Sequence, residues 1–304
     1  MADPPPSRFA PGRLVAEHVT PRPLPRPAKD RVVYGLVQPL VGARVLFSDG
    51  AMLKAALIPA LLLAGFCALV ALLSADGGDP RSFLRRFYTT FAVLAPVPSV
   101  VLAPLYARLA VMARHKLGFS RAEPAIEPLW AMLKRALKQM VIIAIALAPV
   151  TVLLKLVPGL GWALVKVVAA VWALHWIVVD AFDSARFLRP GQTVADLAAH
   201  AETLPRPWYV RALFAAAAKL PFGRKLLERF ARLVDRLSKP WREEIALVEE
   251  HPSLMAGFAL STAALLAIPV LNLLFRPIVI VGAAHVLGRL ETVEPESPAL
   301  PPAT

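Results

Sequence analysis

Residues 265–289 form an apolar stretch that nevertheless carries four residues able to interrupt a helix or to bind a polar ligand. Pro269, Asn272, Arg276 and Pro277 all fall within it. Polar and ionisable side chains inside membrane segments commonly mark ion or substrate pathways. Backbone that departs from a helix at such depth is tolerated only where protein buries it or where it lines a watery cavity. We therefore predict that these residues form the tip of a broken helix.

A second polar group lies at the end of another apolar segment. Asp180 and Asp183 are followed closely by Arg186 and Arg189. The carboxylates can pair with these arginines as a structural lock, which is the interpretation we favour. The alternative is that they belong to an ion route.

The sequence lacks the motifs on which most catalytic and metal sites are built. Its six histidines are scattered without metal-ligand spacing, and the single cysteine, Cys67, cannot form a disulfide or a cysteine zinc site within one chain. There is no Gly-x-Ser-x-Gly motif, phosphate-binding loop or dinucleotide-binding fingerprint. We expect no enzyme activity, no metal and no cofactor.

Composition places the chain in the integral-membrane class. The 304 residues are 57% hydrophobic, and the mean hydropathy is +0.59, which argues against a soluble enzyme. The net charge of +13 does not indicate nucleic-acid binding, because most Lys and Arg residues flank apolar runs. Basic residues in that position orient membrane helices and attract anionic lipid headgroups.

The apolar runs predict an all-α integral membrane protein. We expect a helical membrane domain over 31–290 between two disordered, Pro-rich tails, 1–30 and 291–304. Within it we predict spanning helices at about 51–75 and 87–113, helical hairpins at about 139–183 and 253–288, and a cytoplasmic helical insertion at about 191–245.

The depth of the two hairpins stays open at this point. The first turns at Pro158 and Gly159, and its uncharged runs are shorter than the ~20 residues that a full crossing prefers, so its legs either span or stop partway. In the second, the 12 residues from Pro277 to Gly288 make roughly 18 Å of helix, too short to cross. A hairpin that enters and leaves on one side satisfies this limit.

Charge supports one orientation of these elements. In this topology 28 of the 34 Lys and Arg residues lie on one side, so both termini and the insertion are predicted to be cytoplasmic. The insertion contains an amphipathic helix, "RKLLERFARLVDRL" (224–237). We favour a helix packed on the cytoplasmic face of the bundle, and the alternative is a helix lying among lipid headgroups.

Three segments resemble a known family. "IPVLNLLFRPIVIVGAAHVL" (268–287) is similar to the closing signature of the family that unites etoposide-induced protein 2.4 and the bacterial sulfate permease CysZ, with matches at Pro269, Asn272, Pro277 and Gly282. "LAPLYARLA" (102–110), with Pro104, resembles its motif after the second span, and "GARVLFSDGAMLKAALIPALL" (42–62) lies where its first span begins. CysZ has Pro-Gly-Leu-Arg before that span, whereas this chain has "SDGAMLK".

The resemblance implies a permease or channel-like protein for a small anion such as sulfate, without ATP hydrolysis. It implies a homo-oligomer in the bilayer of a bacterial inner membrane, or of the endoplasmic reticulum if the source is eukaryotic, with no nucleic-acid partner. Candidates for the anion path are Asn272, Arg276, Lys54 and Ser48, since such a path needs fixed hydrogen-bond donors. Asn272 can instead hold helices together, and Arg276 can simply reach an interface.

A second function fits the same features. A non-transporting protein could organise or tether membranes through shallow hairpins and the basic amphipathic helix, as the eukaryotic branch of the family suggests. The missing Arg before the first span favours this alternative.

Overall fold

The computed structural model describes residues 24–74, 80–94, 102–119, 122–219, 223–267 and 269–293. Within these ranges the chain is almost entirely helical. The helices are α1 (Ala28–Phe47), α2 (Gly50–Ser74), α3 (Pro80–Leu94), α4 (Ala103–Lys116), α5 (Leu129–Ile145), α6 (Ala148–Lys155), α7 (Gly161–Ser184), α8 (Val194–Thr203), α9 (Trp208–Lys219), α10 (Arg224–Ser238), α11 (Arg242–Glu250), α12 (Pro252–Leu266) and α13 (Pro269–Val293). A 3-10 turn, Lys239–Trp241, joins α10 to α11.

Three described segments are long and apolar enough to cross a membrane, which indicates a membrane protein. They are α2, the combined α5 and α6 (Leu129–Lys155), and α7. Large apolar side chains point outward along α2, where Leu61, Leu69 and Leu73 are 66%, 54% and 80% exposed. Such a surface is stable in lipid and not in water.

Close backbone contact joins α1 to the last two helices. A Cβ atom added to Gly35 would lie 2.1 Å from Leu254 O, and one added to Gly257 would lie 2.0 Å from Val32 O. Gly42 and Gly282 play the same part where α1 crosses α13. Small residues at these crossings let helix backbones approach closely. The sequence patterns above predict no element for 28–47, so α1 was missed.

The first hairpin forms around the expected turn. Gly159 has φ +74°, a conformation that glycine adopts without steric cost. The legs are longer than the uncharged runs suggested, because the combined α5 and α6 include charged residues at both ends. Their length therefore no longer argues for a hairpin that stops partway. Two short antiparallel strands, β1 (Glu123–Pro124) and β2 (Phe187–Leu188), close the opposite end of the hairpin.

The insertion is helical, as predicted, and packs on the first hairpin. Trp172 and Trp176 of α7 share one core with Tyr209 of α9, Val234 of α10 and Trp241. α10 therefore packs on the bundle with one face and leaves the other exposed, and its place relative to a membrane stays a prediction.

The last hairpin corrects the sequence prediction. The helix α12 ends at Leu266. The next helix, α13, begins at Pro269 and continues through Pro277 to Val293. The break thus lies before the polar residues, which belong to the second leg. Proline in a helix interior removes a hydrogen bond, but here the following turns are buried among neighbouring helices, which can compensate. The argument that this leg is only 12 residues long is therefore wrong.

The second predicted span is only partly described. The structure has α3 from Pro80 and α4 from Ala103, and a continuous helix over 87–113 would need residues 95–101, which lie outside the described part. The helix begins at Pro80, before the predicted start of this span at residue 87. Most of both predicted tails, 1–23 and 294–304, also lies outside the described residues.

Candidate functional site

The charged residues at the end of the first hairpin opposite its turn form a compact network. Arg135 of α5 reaches Asp183 of α7, with Nη2 donating to Oδ1 at 2.5 Å. Its Nη1 donates to Glu127 Oε1 at 2.8 Å, and Nη2 also donates to the Pro240 carbonyl at 2.8 Å. The guanidinium thus ties both legs of the hairpin to the insertion.

Local geometry explains why these residues meet. Arg135 lies 23 residues before Pro158 and Asp183 lies 24 residues after Gly159, so the two legs bring them to the same level. The β1–β2 pair lies just beyond: β1 ends three residues before Glu127, and β2 begins immediately after Arg186. Because the strands hold this end closed, the four charged side chains converge.

Arg186 extends the network to α11. Its Nε lies 3.2 Å from Glu244 Oε1, and its Nη1 lies 3.8 Å from Asp183 Oδ1. Glu243 is 3.9 Å away. Burial raises the pKa of Glu244 to about 7, against the opposing effect of the Arg186 guanidinium. Trp241 Nε1 donates a hydrogen bond to Asp183 Oδ2 at 3.3 Å and is a further partner of this carboxylate.

The contacts of the two aspartates differ from the predicted pairs. Asp183 binds Arg186 and, more closely, Arg135. Asp180 binds neither expected arginine among the described contacts, and instead pairs with Arg276. Arg189 is exposed, its backbone N–H donates to Gln192 Oε1, and the described residues give it no ion pair. The physical reason is that α7 ends at Ser184, so Arg189 lies past β2 on the surface.

Arg276 is not at a hairpin tip. It lies two turns into α13, where its Nη2 donates to Asp180 Oδ2 at 2.7 Å and its guanidinium is 5.5 Å from the Tyr106 ring centre. The residue therefore fastens α13 to α7 and α4.

A cavity of about 740 Å³ opens above the network. It lies between α4, α5, α7 and α8. Its charged lining comes from the residues of the network, Glu127, Arg135, Asp183 and Arg186, together with Asp180. The rest of its wall is mainly apolar, with α5 contributing most of it. The size falls within the ~300–1,000 Å³ typical of small-molecule sites.

The other anion-path candidates do not converge on Arg276 through any described contact. Ser48 caps α1 by donating to the Val45 carbonyl at 2.7 Å, and Lys54 is exposed on the first turns of α2. Between them, Asp49 accepts hydrogen bonds from the backbone N–H groups of Ala51 and Met52. These donors and Lys116 lower the pKa of Asp49. The N-terminus of α2 is thus already occupied by a carboxylate.

The motif residues have structural positions. Pro104 lies in the first turn of α4 and lines the cavity. Pro277 is buried within α13 and Gly282 permits the α1 crossing. Pro269 begins α13 and Asn272 follows within it, but their side chains lie outside the described part, so the role of Asn272 stays a prediction.

Sequence reasoning missed the centre of this site. Arg135, Glu127 and Trp241 were not singled out. The equal distance of Arg135 and Asp183 from the turn was a usable signal. Glu244 stands out only as half of the acidic pair Glu243 and Glu244, and its partner, Arg186, is supplied by a distant element.

Among the described residues no group of three or more His, Cys, Asp or Glu side chains could hold a metal ion. Comparisons of the chain with family models, with curated proteins and with solved structures each give no match.

Proposed function

We propose that this protein organises membranes, holding a basic helical layer against an anionic bilayer surface. The observation that carries the proposal is the outer face of α10. Opposite its buried residues Ala231 and Val234, this face presents exposed Lys225, Arg229, Arg232 and Arg236. Every exposed charged side chain of α10 is basic, whereas a helix face that meets only water commonly alternates both signs.

The charge of this face is available for a partner. Arg232 lies 3.9 Å from Glu228, whereas the described residues give Lys225, Arg229 and Arg236 no ion pair. Each Lys or Arg near an anionic leaflet contributes about 1 kcal/mol of attraction. A basic patch of this size is therefore sufficient for measurable, salt-dependent binding.

Two leucines beside the basic row favour a lipid surface over a polar partner. Leu226 and Leu233 are 74% and 43% exposed, and they are seven residues apart on one side of the helix. A helix with a basic face and adjoining exposed leucines is typical of peptides that lie at the boundary of headgroups and acyl chains. We place this layer on the cytoplasmic side, as the distribution of Lys and Arg favours.

Anion transport of the CysZ type is the rival function. It receives less support, because Arg276 is paired with Asp180 and Asp49 occupies the donors at the start of α2. Lys54 remains exposed without a described ion pair, so a flux measurement is needed to separate the two functions.

The experiment measures the environment of α10 in reconstituted full-length protein. An environment-sensitive fluorophore is attached through Leu226→Cys in a Cys67→Ala background, in bilayers of phosphatidylcholine with or without phosphatidylglycerol. We expect a blue shift only with phosphatidylglycerol, abolished by high salt and by the triple change Arg229→Gln, Arg232→Gln and Arg236→Gln. A matched triple change, Lys54→Gln, Lys134→Gln and Lys166→Gln, removes the same charge elsewhere and should keep the shift.

Two results would overturn the proposal. One is emission that does not depend on anionic lipid. The other is saturable sulfate uptake by the same proteoliposomes that is lost on Lys54→Gln or Arg276→Gln, since that would establish transport.

A further inference from the structure

The cavity between α4, α5, α7 and α8 has two unlike parts. One part is a charged floor made of Glu127, Arg135, Asp180, Asp183 and Arg186. The other is an apolar wall made chiefly by α5, with small residues of α4 opposite. A site that combines a polar floor with an apolar wall matches an amphiphile and not a small ion.

The wall continues onto the outer surface of the bundle. Three of its members on α5, Leu133, Leu137 and Met140, are 49%, 57% and 53% exposed. The same helix begins one of the three segments that are able to cross a membrane. The apolar part of the cavity therefore opens towards the region that acyl chains occupy around such a segment.

The floor lies where headgroups are expected. Arg135 and Asp183 stand at the charged ends of two apolar helices, on the side away from the turn at Gly159. In a bilayer the charged end of a crossing helix lies at the level of the headgroups. A lipid can therefore reach the floor with its headgroup while its chains stay outside.

The charges of the floor select the kind of headgroup. Three carboxylates and two guanidinium groups line the cavity, so a purely anionic group would meet the acids and a purely cationic one would meet the arginines. Asp180 keeps 30% of its side chain exposed beside its pair with Arg276. Glu127 and Arg135 keep 20% and 15% of their side chains exposed, so both signs of charge can be reached from the cavity. An ammonium and a phosphate on one molecule would satisfy both.

We propose that this cavity binds one zwitterionic glycerophospholipid from the surrounding bilayer. The ammonium group faces Asp180 and Glu127, the phosphate faces Arg135 and Arg186, and an acyl chain leaves along α5. This inference does not depend on the proposed role of α10, which concerns an anionic surface and a different face.

The test measures lipid that stays bound to the full-length protein in detergent, by native mass spectrometry. The probes are phosphatidylethanolamine and phosphatidylglycerol with identical chains, added in equal amounts. We expect phosphatidylethanolamine to be retained at least about tenfold more, the equivalent of ~1.4 kcal/mol. The triple change on α10 should leave this ratio unaltered, which separates this inference from the proposed function.

Two further variants locate the binding. Ala136→Trp fills the cavity and should abolish retention, whereas Ala169→Trp, at an exposed position on α7 outside the cavity, should not. Glu127→Gln keeps an acceptor for Arg135 but removes one negative charge, and should lower the preference for phosphatidylethanolamine severalfold. Size-exclusion profiles and melting temperatures show that each variant is folded.

Three outcomes would overturn the inference. These are equal retention in the Ala136→Trp and unchanged proteins, equal retention of the two lipids, and retention of phosphatidylglycerol in preference to phosphatidylethanolamine. The last would mean that the guanidinium groups dominate the floor.

Discussion

Two parts of this protein hold helices together in opposite ways. Where α1 meets α12 and α13, glycines let the backbones touch, and the contacts need no charge. Where α5 meets α7 and α11, the helices are joined by Arg135, Asp183, Arg186 and Glu244. The attraction within a buried ion pair does little more than offset the free-energy cost of removing its charges from water. The difference teaches that the first region is built for close packing and the second for fixing the geometry around a cavity.

Breaking the charged region should give the largest effect. Arg135→Met leaves Asp183 and Glu127 partly buried without their closest cation, and we expect a loss of about 3–5 kcal/mol in the free energy of unfolding. The double variant Arg135→Met with Asp183→Leu should recover part of it, because no buried charge is left unpaired there. Chemical unfolding of the purified protein in detergent measures both.

An exposed ion pair provides the control. The Arg224 Nε atom and Glu228 Oε1 lie 2.7 Å apart on the surface of α10. Glu228→Gln should cost less than about 0.5 kcal/mol. An equal loss for Glu228→Gln and Arg135→Met would contradict the importance given to the buried network.

Breaking the glycine contacts should give the next largest effect. Gly257→Ala places a Cβ atom 2.0 Å from Val32 O, which forces α1 and α12 apart and should cost about 1–3 kcal/mol. Gly65→Ala is the matched control, since nothing lies within 4 Å of its added Cβ. The control should be neutral or slightly stabilising, because alanine favours helix. Destabilisation by both to the same extent would show that close packing is not the cause.

The smallest change is expected within each unit of pH, where a single titrating group of the charged region alters the free energy of unfolding by at most ~1.4 kcal/mol. The pKa of Glu244 is about 7 in the folded protein against an ordinary value of 4.5, so the folded state keeps this proton between those values and the unfolded state releases it. Stability from this group is complete below about pH 4.5 and is lost as the pH rises to about 7. Arg186, Asp183, Arg135 and Glu243 are the charged groups that act on the pKa of Glu244.

Melting temperatures measured across this window test the assignment. Glu244→Gln should flatten the fall by a few degrees, while Glu250→Gln, at the exposed end of the same helix, should retain it. A fall of unchanged size in the Glu244→Gln protein would assign the dependence to another group.

The local features of the fold were predictable from the sequence. The uncharged run inside α2, the turn at Gly159 and the amphipathic α10 each depend on residues close together in the chain. Pro277 misled the prediction, since it lies inside a helix, as Pro39 and Pro59 also do. Their cost depends on packing by neighbouring helices, which local patterns do not contain.

The partners of the charged residues were less predictable. Arg276 could be recognised as unusual but not assigned to Asp180, because the pair depends on how α13 crosses α7. Similarly, α1 has a mixed composition. The role of its glycines can be recognised only once α12, whose backbone Gly35 contacts, is known. The cavity arises from four separate helices and has no sequence pattern of its own.

The contact between α1 and α12 also affects how the protein can be made. Gly35 and its neighbour Leu254 are 219 positions apart in the chain (35 to 254). At ~5–20 residues per second a ribosome needs roughly 10–45 s to cover that distance. During this interval α1 has emerged without its partner, so its apolar face must be shielded by lipid or by a chaperone until the last hairpin arrives.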